Sequence, residues 1–125
     1  MTPSTDSSVR VSIPASARFL SAARVVAAAL GADSGLSVDD LDDLRLGVNE
    51  MVSALLDGAA PDARVELQFL AVDGAVTVTG VLDGGGQGAV ADELTTRILD
   101  AVADHHVLEA SSFVLTKRSS LREPL

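Results

Sequence analysis

The chain has 125 residues, a formal net charge of −9, no cysteine, and three phenylalanines as its only aromatic residues. This length suits a single domain with a two-layer core. The negative charge argues against direct binding of nucleic acid, which requires clustered lysine and arginine, and the scarcity of aromatic side chains argues against stacking on bases. Because cysteine is absent, disulfides and thiolate metal sites are excluded.

Hydropathy and the first residues define the expected location and boundaries. No run of about 18 apolar residues could span a membrane, and the N-terminus lacks the charged start and apolar stretch of a signal peptide. We therefore expect a cytoplasmic protein that does not enter a membrane. We expect a flexible N-terminus at residues 1–8, a single domain at residues 9–118 and a polar C-terminal tail at residues 119–125.

The first predicted elements are a strand and a helix. Apolar residues alternate with polar ones at residues 9–13, which predicts a half-buried strand that ends at Pro14. Residues 15–30 then show apolar side chains at helical spacing, with Gly31 as the expected C-terminal stop.

The longest helix is predicted at residues 37–58. Ser37 is placed to cap its first turn, with Asp40 in the position of the capping-box glutamate, and Gly58 is a natural stop. One face forms a buried stripe at helical spacing, made of Leu41, Leu44, Val48, Met51, Val52 and Leu55.

The second half of the chain predicts a hairpin, a helix and two further strands. Two alternating segments, at residues 65–69 and 76–79, flank Asp73 and Gly74, and Asp-Gly between strands is the strongest short-range hairpin signal. The remaining elements are a loop rich in glycine at residues 83–88, a helix at 92–104 that buries Leu94, Ile98, Ala101 and Val102, and strands at 106–109 and 113–117. This order predicts an α+β two-layer sandwich, with three helices packed on one face of a mostly antiparallel sheet.

The face of the longest helix opposite its buried stripe is unusual. Glu50 lies there about half a turn from Leu41, among small or apolar neighbours. This pattern indicates the wall of a cleft that contains one carboxylate; the alternative is an ordinary surface glutamate. The small or apolar neighbours, with one further acid, are Leu46, Gly47, Ser53, Ala54 and Asp57.

Three other features of the sequence are candidate sites. The glycine-rich loop matches neither a dinucleotide-binding fingerprint nor a P-loop; it is either a flexible turn or a place where backbone approaches a ligand, with Asp83 able to accept a hydrogen bond. His105 and His106 are neighbours in a strand, so they point to opposite faces and cannot chelate one metal. The acidic residues between 33 and 43 fit a solvated helix start better than a docking site for a basic partner.

Together these elements resemble the GHKL (Bergerat-fold) histidine-kinase-like ATPase domain of the RsbW-like anti-sigma-factor serine/threonine kinases, in a degenerate form. The resemblance covers residues 9–118 and rests on four short segments. These are residues 11–15 (VSIPA) before a helix that contains Ala23 and Arg24, residues 44–54 (LRLGVNEMVSA), residues 83–85 (DGG) and residues 101–104 (AVAD).

In this family the long helix carries a glutamate, followed four residues later by an asparagine. The resemblance implies that Glu50 occupies the position of the catalytic base and that Ala54 replaces the asparagine that ligates Mg²⁺. A methyl group cannot bind this hard cation, which requires oxygen. Asn49 is about 100° around the helix from Glu50 and is a poor substitute. We therefore expect no metal site and a vestigial Glu50.

The resemblance also implies a weakened nucleotide site. Asp83 and Gly85 match the start of the family's Asp-x-Gly-x-Gly box, whose second glycine falls on Gln87, and Ser112 lies near the position of a threonine that helps to hold adenine. Only residues 86–91 stand where the family has a long ATP lid. Each lost charge-assisted contact weakens binding by about 1.5–3 kcal/mol, so we expect no cofactor; ATP with Mg²⁺ would bind only if the site were functional.

The resemblance therefore implies an anti-sigma-factor-like regulator that controls bacterial transcription through protein–protein binding. Its partners would be a sigma factor, an anti-anti-sigma factor or both, and relatives of this type form homodimers. Two alternatives stay open. One is an active serine/threonine kinase in which Glu50 activates a hydroxyl of the antagonist, and the other is an unrelated small interaction module. Whether the protein is an enzyme is left open by the sequence.

Overall fold

The computed structural model describes residues 8–120. Within this range the chain forms five strands and three α-helices, with a short 3₁₀ turn before the first helix. The elements are β1 (Ser8–Pro14), α1 (Leu20–Asp33), α2 (Val38–Asp57), β2 (Arg64–Val72), β3 (Ala75–Asp83), α3 (Glu93–Val102), β4 (His105–Leu108) and β5 (Ser112–Arg118).

The strands form one antiparallel sheet in the order β1-β2-β3-β5-β4. Because side chains alternate between the two faces of a sheet, each strand presents one row to the helices and one to solvent. The row under the helices is buried and includes Val65, Leu67, Phe69, Val76, Val78, Phe113 and Leu115. This arrangement confirms the predicted two-layer α+β sandwich with its helices on one face of an antiparallel sheet.

Helix α2 begins as the sequence predicts. The Ser37 hydroxyl accepts a hydrogen bond from the Asp40 amide at 3.0 Å, and the Asp40 carboxylate accepts one from the Ser37 amide at 3.1 Å. These two bonds form the capping box. The predicted stripe is buried along α2, except for Leu41, which is half-buried. The helix thus lies with this stripe on the centre of the sheet.

Asp40 also binds the segment that follows β5. Its carboxylate accepts hydrogen bonds from the backbone amide and the hydroxyl of Ser120, at 2.9 and 3.0 Å. Nearby, Lys117 Nζ lies 3.2 Å from Asp43 and 4.0 Å from Asp40. Burial alone raises the pKa of Asp40, but the hydrogen bonds from Ser120 and Ser37 outweigh it and lower the pKa to about 2.

Helix α1 differs from its prediction at both ends. It starts at Leu20 rather than at residue 15, and the predicted stop at Gly31 is wrong because the helix continues to Asp33. Gly31 is buried against α2, where an added methyl group would lie 2.7 Å from Leu41 Cδ2. The chain turns instead at Gly35, which has φ +89°. The glycine at 31 therefore serves the close approach of two helices.

The later elements follow their predictions closely. The Asp73-Gly74 hairpin between β2 and β3 is confirmed, with Gly74 at φ +77°. The α3 helix is capped by Asp92, whose carboxylate accepts from the Thr95 amide at 2.8 Å. The prediction that Leu94 is buried in the core is wrong, since its side chain is 64% exposed. Ala101 is exposed too, because α3 rests on its neighbours mainly through the side that carries Leu99 and Val102.

The predicted termini are only partly covered by the described range. The flexible segment predicted at residues 1–8 lies outside it except for Ser8, which begins β1. The polar tail predicted at residues 119–125 is described only at Ser119 and Ser120. The Ser119 hydroxyl donates to the Gly35 carbonyl at 3.2 Å, and Ser120 binds Asp40.

Candidate functional site

Glu50 lies on the side of α2 that faces α3. Gly47, one turn earlier, marks this side, because a methyl group there would meet Leu115 of β5 and Val102 of α3. The Glu50 side chain is half-buried. Across residues 8–120 it makes no hydrogen bond and no ion pair. The carboxylate is therefore free to accept a proton or to pair with a cation.

Position 54, which the resemblance matches to a metal ligand, is closed. The Ala54 side chain is 3% exposed, and its backbone carbonyl accepts a hydrogen bond from the Val90 amide at 3.0 Å. Asn49, the substitute ligand considered from the sequence, turns towards α1, where its Oδ1 accepts from Arg24 at 2.6 Å. The side-chain oxygen of Asn49 is therefore already engaged.

The segment between β3 and α3, residues 84–91, crosses the C-terminal end of α2, and we call it the strap. Four backbone hydrogen bonds fasten it to its surroundings. They run from Ala60 N to Gly85 O (3.1 Å), from Gln87 N to Gly58 O (2.7 Å), from Ala89 N to Ala110 O (2.6 Å) and from Val90 N to Ala54 O (3.0 Å). The residues that the resemblance predicts in place of an ATP lid are thus bonded directly to the C-terminal end of α2.

Glycine makes this contact possible. A Cβ atom added to Gly58 would overlap the carbonyl oxygen of Gly88, and one added to Gly86 would overlap the carbonyl oxygen of Gly58. Gly86 also has φ +144°, a conformation that residues with a side chain rarely adopt. The sequence suggested Gly58 only as a helix stop. Its second role is to let the backbone of the strap pack against it. This role cannot be inferred from the sequence, because the strap lies about 30 residues further along the chain.

We expect Gly58→Ala to detach the strap from α2. The new methyl group overlaps backbone rather than a movable side chain, so the free energy of unfolding should fall by about 1–3 kcal/mol. Hydrogen exchange should accelerate at the Gln87 and Val90 amides, measured by NMR. Gly47→Ala is the matched control, since its methyl group would meet side-chain ends rather than backbone, with Leu115 at 3.0 Å and Val102 at 3.6 Å. Unchanged strap exchange in both variants would contradict the expectation.

The two residues predicted to contact adenine, Asp83 and Ser112, do not lie beside Glu50. Asp83 is exposed at the end of β3, and strand alternation places it in the row of Val81, on the sheet face away from the helices. Ser112 pairs with Val81 and shares that face; its hydroxyl lies 3.4 Å from Glu109 Oε1. The structure thus brings Asp83 and Ser112 to one sheet face, and it does not bring either of them together with Glu50.

Gly85, the third nucleotide-binding candidate, lies in the strap, and its carbonyl is bonded to Ala60. The depression beside it has a volume of about 210 Å³ and is lined by Leu82, strap glycines, Gln87, Ala110 and Ser111. Typical ligand pockets measure roughly 300–1,000 Å³ and combine apolar walls with a few converging polar side chains. The depression is smaller than this range and its lining is mostly backbone.

The two histidines occupy opposite sides of β4. His105 pairs with Thr116 on the open face, and His106 pairs with Leu115 on the face under the helices. His106 Nε2 lies 2.7 Å from Asp100 of α3, a pair that the sequence did not indicate. Over the described part of the chain, no three histidine, cysteine or acidic side chains are grouped as metal ligands. In the same range, no helix has the length and apolarity needed to cross a bilayer.

No protein-family profile matches this chain, and no curated protein matches it. Among solved structures, it is similar to the crystal structure of the RsbU and RsbW domains of Rv1364c from Mycobacterium tuberculosis, with a TM-score of 0.62 and 17% sequence identity. The similarity covers 94% of this chain and 33% of that one, so this chain spans about a third of its length. The two proteins share a fold, which supports the α+β two-layer architecture that the sequence predicted.

Proposed function

We propose that this protein is an anti-sigma-factor-like regulator that acts by binding other proteins and not by using ATP. The fold supports the first half of the proposal, since it is shared with a structure that contains an RsbW domain. The sequence resemblance supplies the partners, a sigma factor or an anti-anti-sigma factor in the bacterial cytoplasm. The loss of nucleotide chemistry rests on the arrangement of the strap.

The observation that carries the proposal is the set of hydrogen bonds between the strap and α2. By resemblance, triphosphate and Mg²⁺ would lie between this helix and a long lid. Here the Ala54 and Gly58 carbonyls are occupied by Val90 and Gln87 amides of the strap. A nucleotide that entered would have to break these bonds, and it would find neither a side-chain oxygen at position 54 nor lid amides for its phosphates.

Glu50 by itself does not support kinase activity. A carboxylate can accept a proton from an attacking hydroxyl only when that hydroxyl and the phosphoryl group are positioned within hydrogen-bond reach. Phosphoryl transfer depends mainly on such positioning and on cations that stabilise the charge on phosphate. The proposal therefore treats Glu50 as a residue that keeps an ancestral position without its catalytic partners.

Isothermal titration with Mg²⁺ and ATP tests the loss of nucleotide binding. We expect no saturable binding below millimolar nucleotide. We expect the same for Ala54→Asn, because the added amide would enter a buried position next to the strap and should destabilise the fold by about 1–3 kcal/mol. Titration of ATP in EDTA is the control. Micromolar, magnesium-dependent binding by the wild type would favour the kinase alternative.

Binding of the protein partners needs a separate experiment. The purified chain would be mixed with each sigma factor and each anti-anti-sigma homologue of its host, and complexes would be detected by size-exclusion chromatography with light scattering. The same measurement reports whether the chain is a homodimer. If no complex formed with either class of protein, the regulator proposal would fail and the unrelated interaction module would remain.

A further inference from the structure

Helices α2 and α3 run antiparallel and leave a seam between them on the outer surface. At one end, the Val90 amide, two residues before the cap of α3, bonds to the Ala54 carbonyl. At the other end, Val102 approaches Gly47, where an added methyl group would lie 3.6 Å from Val102 Cγ2. Positions between these contacts therefore face each other along about two turns of both helices.

The walls of the seam can be assigned from side-chain spacing. On α2, Leu46, Glu50 and Asp57 are separated by four and seven residues, so they share one side of the helix, next to the side on which Gly47 and Ala54 contact α3 and the strap. On α3, Asp100 points towards β4, where it bonds to His106. Ile98 is two residues, or about 200°, from Asp100. Ile98 therefore faces α2, together with Leu94 one turn earlier.

Several apolar side chains beside the seam are exposed to solvent. Leu46 is 42% exposed, Val90 55% and Leu94 64%, and Ile98 is half-buried between them. Single exposed apolar residues are common on protein surfaces, whereas a group of them in one strip marks an interaction site. These four side chains come from α2, the strap and α3, the three segments that border the seam.

Charged residues border this strip, and those that have no ion-pair partner within residues 8–120 are acidic. Asp42 pairs with Arg45, and Glu93 pairs with Arg97 at 2.9 Å. Glu50 and Asp57, in contrast, make no hydrogen bond or ion pair with residues 8–120.

The location of Asp57 makes its unpaired negative charge unfavourable. It lies in the last turn of α2, where no basic residue is present. A negative charge is unfavourable at this end of a helix because it adds to the negative end of the helix dipole. A cation supplied from outside would relieve that repulsion.

We propose that the seam between α2 and α3 docks an amphipathic α-helix of a protein partner that carries two lysine or arginine residues seven positions apart. Glu50 and Asp57 are seven residues apart, so about 10.5 Å separates them along α2. A partner helix lying parallel or antiparallel in the seam would present cations at the same interval, with its apolar side on Leu46, Val90 and Leu94. The inference rests on the proposed protein-binding function and names the surface and the partner's chemistry.

A designed helical peptide tests this inference directly. The probe is a synthetic peptide of about 18 residues with a leucine stripe and two arginines seven positions apart, titrated into the ¹⁵N-labelled protein. We expect NMR shifts in α2, α3 and the strap. Glu50→Gln and Asp57→Asn should each weaken binding by about two- to fivefold, as for single exposed charge pairs. Asp33→Asn removes one charge from the far end of α1 and should leave the affinity unchanged.

Charge reversal provides the second arm. The double variant Glu50→Lys/Asp57→Lys should lose at least about tenfold in affinity for the basic peptide and should bind a peptide with glutamates in place of the two arginines. The inference is overturned if the basic peptide fails to bind at millimolar concentration, or if these variants bind it with the affinity of the wild type. It is likewise overturned if the NMR shifts map to the open sheet face. It is also overturned if a second copy of the chain occupies the seam, seen as concentration-dependent shifts without peptide.

The two proposals fail differently. If a sigma factor or an anti-anti-sigma protein binds the wild type and the double variant equally well, the protein-binding function stands and the seam is not the site. If the seam binds the basic peptide but neither class of partner forms a complex, the surface stands and the anti-sigma-factor-like role is wrong.

Discussion

Replacing Gly80 with valine is expected to lower the free energy of unfolding by about 3 kcal/mol or more, measured by urea denaturation. Gly80 lies in the middle of β3 and pairs with Phe113 of β5. A Cβ atom at position 80 would overlap the Phe113 ring, with Cδ2 at 2.8 Å and Cε2 closer still. Because Phe113 is almost fully buried, the ring has no free space to enter, and overpacking of a core usually costs 1–3 kcal/mol for smaller changes than this.

A double-mutant cycle with Phe113→Leu separates this clash from a general loss of strand stability. Leucine leaves space where the ring was, so Gly80→Val should be much less harmful in the Phe113→Leu background, with an interaction energy above about 1 kcal/mol. Strictly additive effects would show that the ring is not what the valine displaces. Thr79→Val, one residue away on the open face, is the control for a valine in the same strand that does not meet the Phe113 ring.

Asp40→Ala is expected to destabilise the protein by about 3 kcal/mol. The change removes half of the capping box and leaves the Ser37 and Ser120 amides without their acceptor. Hydrogen bonds to a charged group contribute about 1.5–3 kcal/mol each, although water can replace part of this at the partly exposed serines. Asp39→Ala is the matched control, since Asp39 lies in the same first turn but is exposed and should lose only about 0.3–1 kcal/mol of dipole interaction.

The same carboxylate predicts a pH dependence. The pKa of Asp40 falls from 3.8 to about 2 on folding, so its contribution to stability is complete above pH 4 and is lost as the pH falls through about 2. After allowance for screening by solvent, we expect the loss to be about 1–2 kcal/mol. Asp40→Asn keeps the shape but cannot titrate, so its stability should change less between pH 4 and pH 2 than that of the wild type. Equal slopes in the two proteins would contradict the assignment.

The fold was largely predictable because its signals are local. The α2 helix carries its start signal in Ser37 and Asp40 and its burial in one stripe, so the element and its cap were both expected. The Asp73-Gly74 turn likewise fixes the hairpin from two residues. Gly31 was misread because a glycine at a helix–helix contact and a glycine at a helix end look the same in sequence. Only the packing of α1 on α2 distinguishes them.

The candidate site was less predictable because it depends on which segments meet. The resemblance located Glu50 and Ala54 on α2 but could not show that the strap bonds to the Ala54 carbonyl. It also grouped Asp83 with Glu50, whereas the alternation along β3 directs Asp83 to the other sheet face. Leu94 was expected to be in the core from its spacing alone. Its exposure, which defines the docking seam, depends on how α3 packs against α2.

The position of β5 in the sheet has a consequence for how the protein is made. Among the strands at residues 8–120, β5 comes last in sequence, yet it lies between β3 and β4 in the sheet. Ser120, which follows it, completes the hydrogen bonding of Asp40 at the start of α2. During synthesis, β3 and β4 therefore stay unpaired along one edge until residues 112–120 leave the ribosome. Such pairing between distant segments forms slowly and leaves strand edges open to other chains. The nascent chain therefore needs residues 112–120 before the sheet is complete and before Asp40 has all its hydrogen bonds.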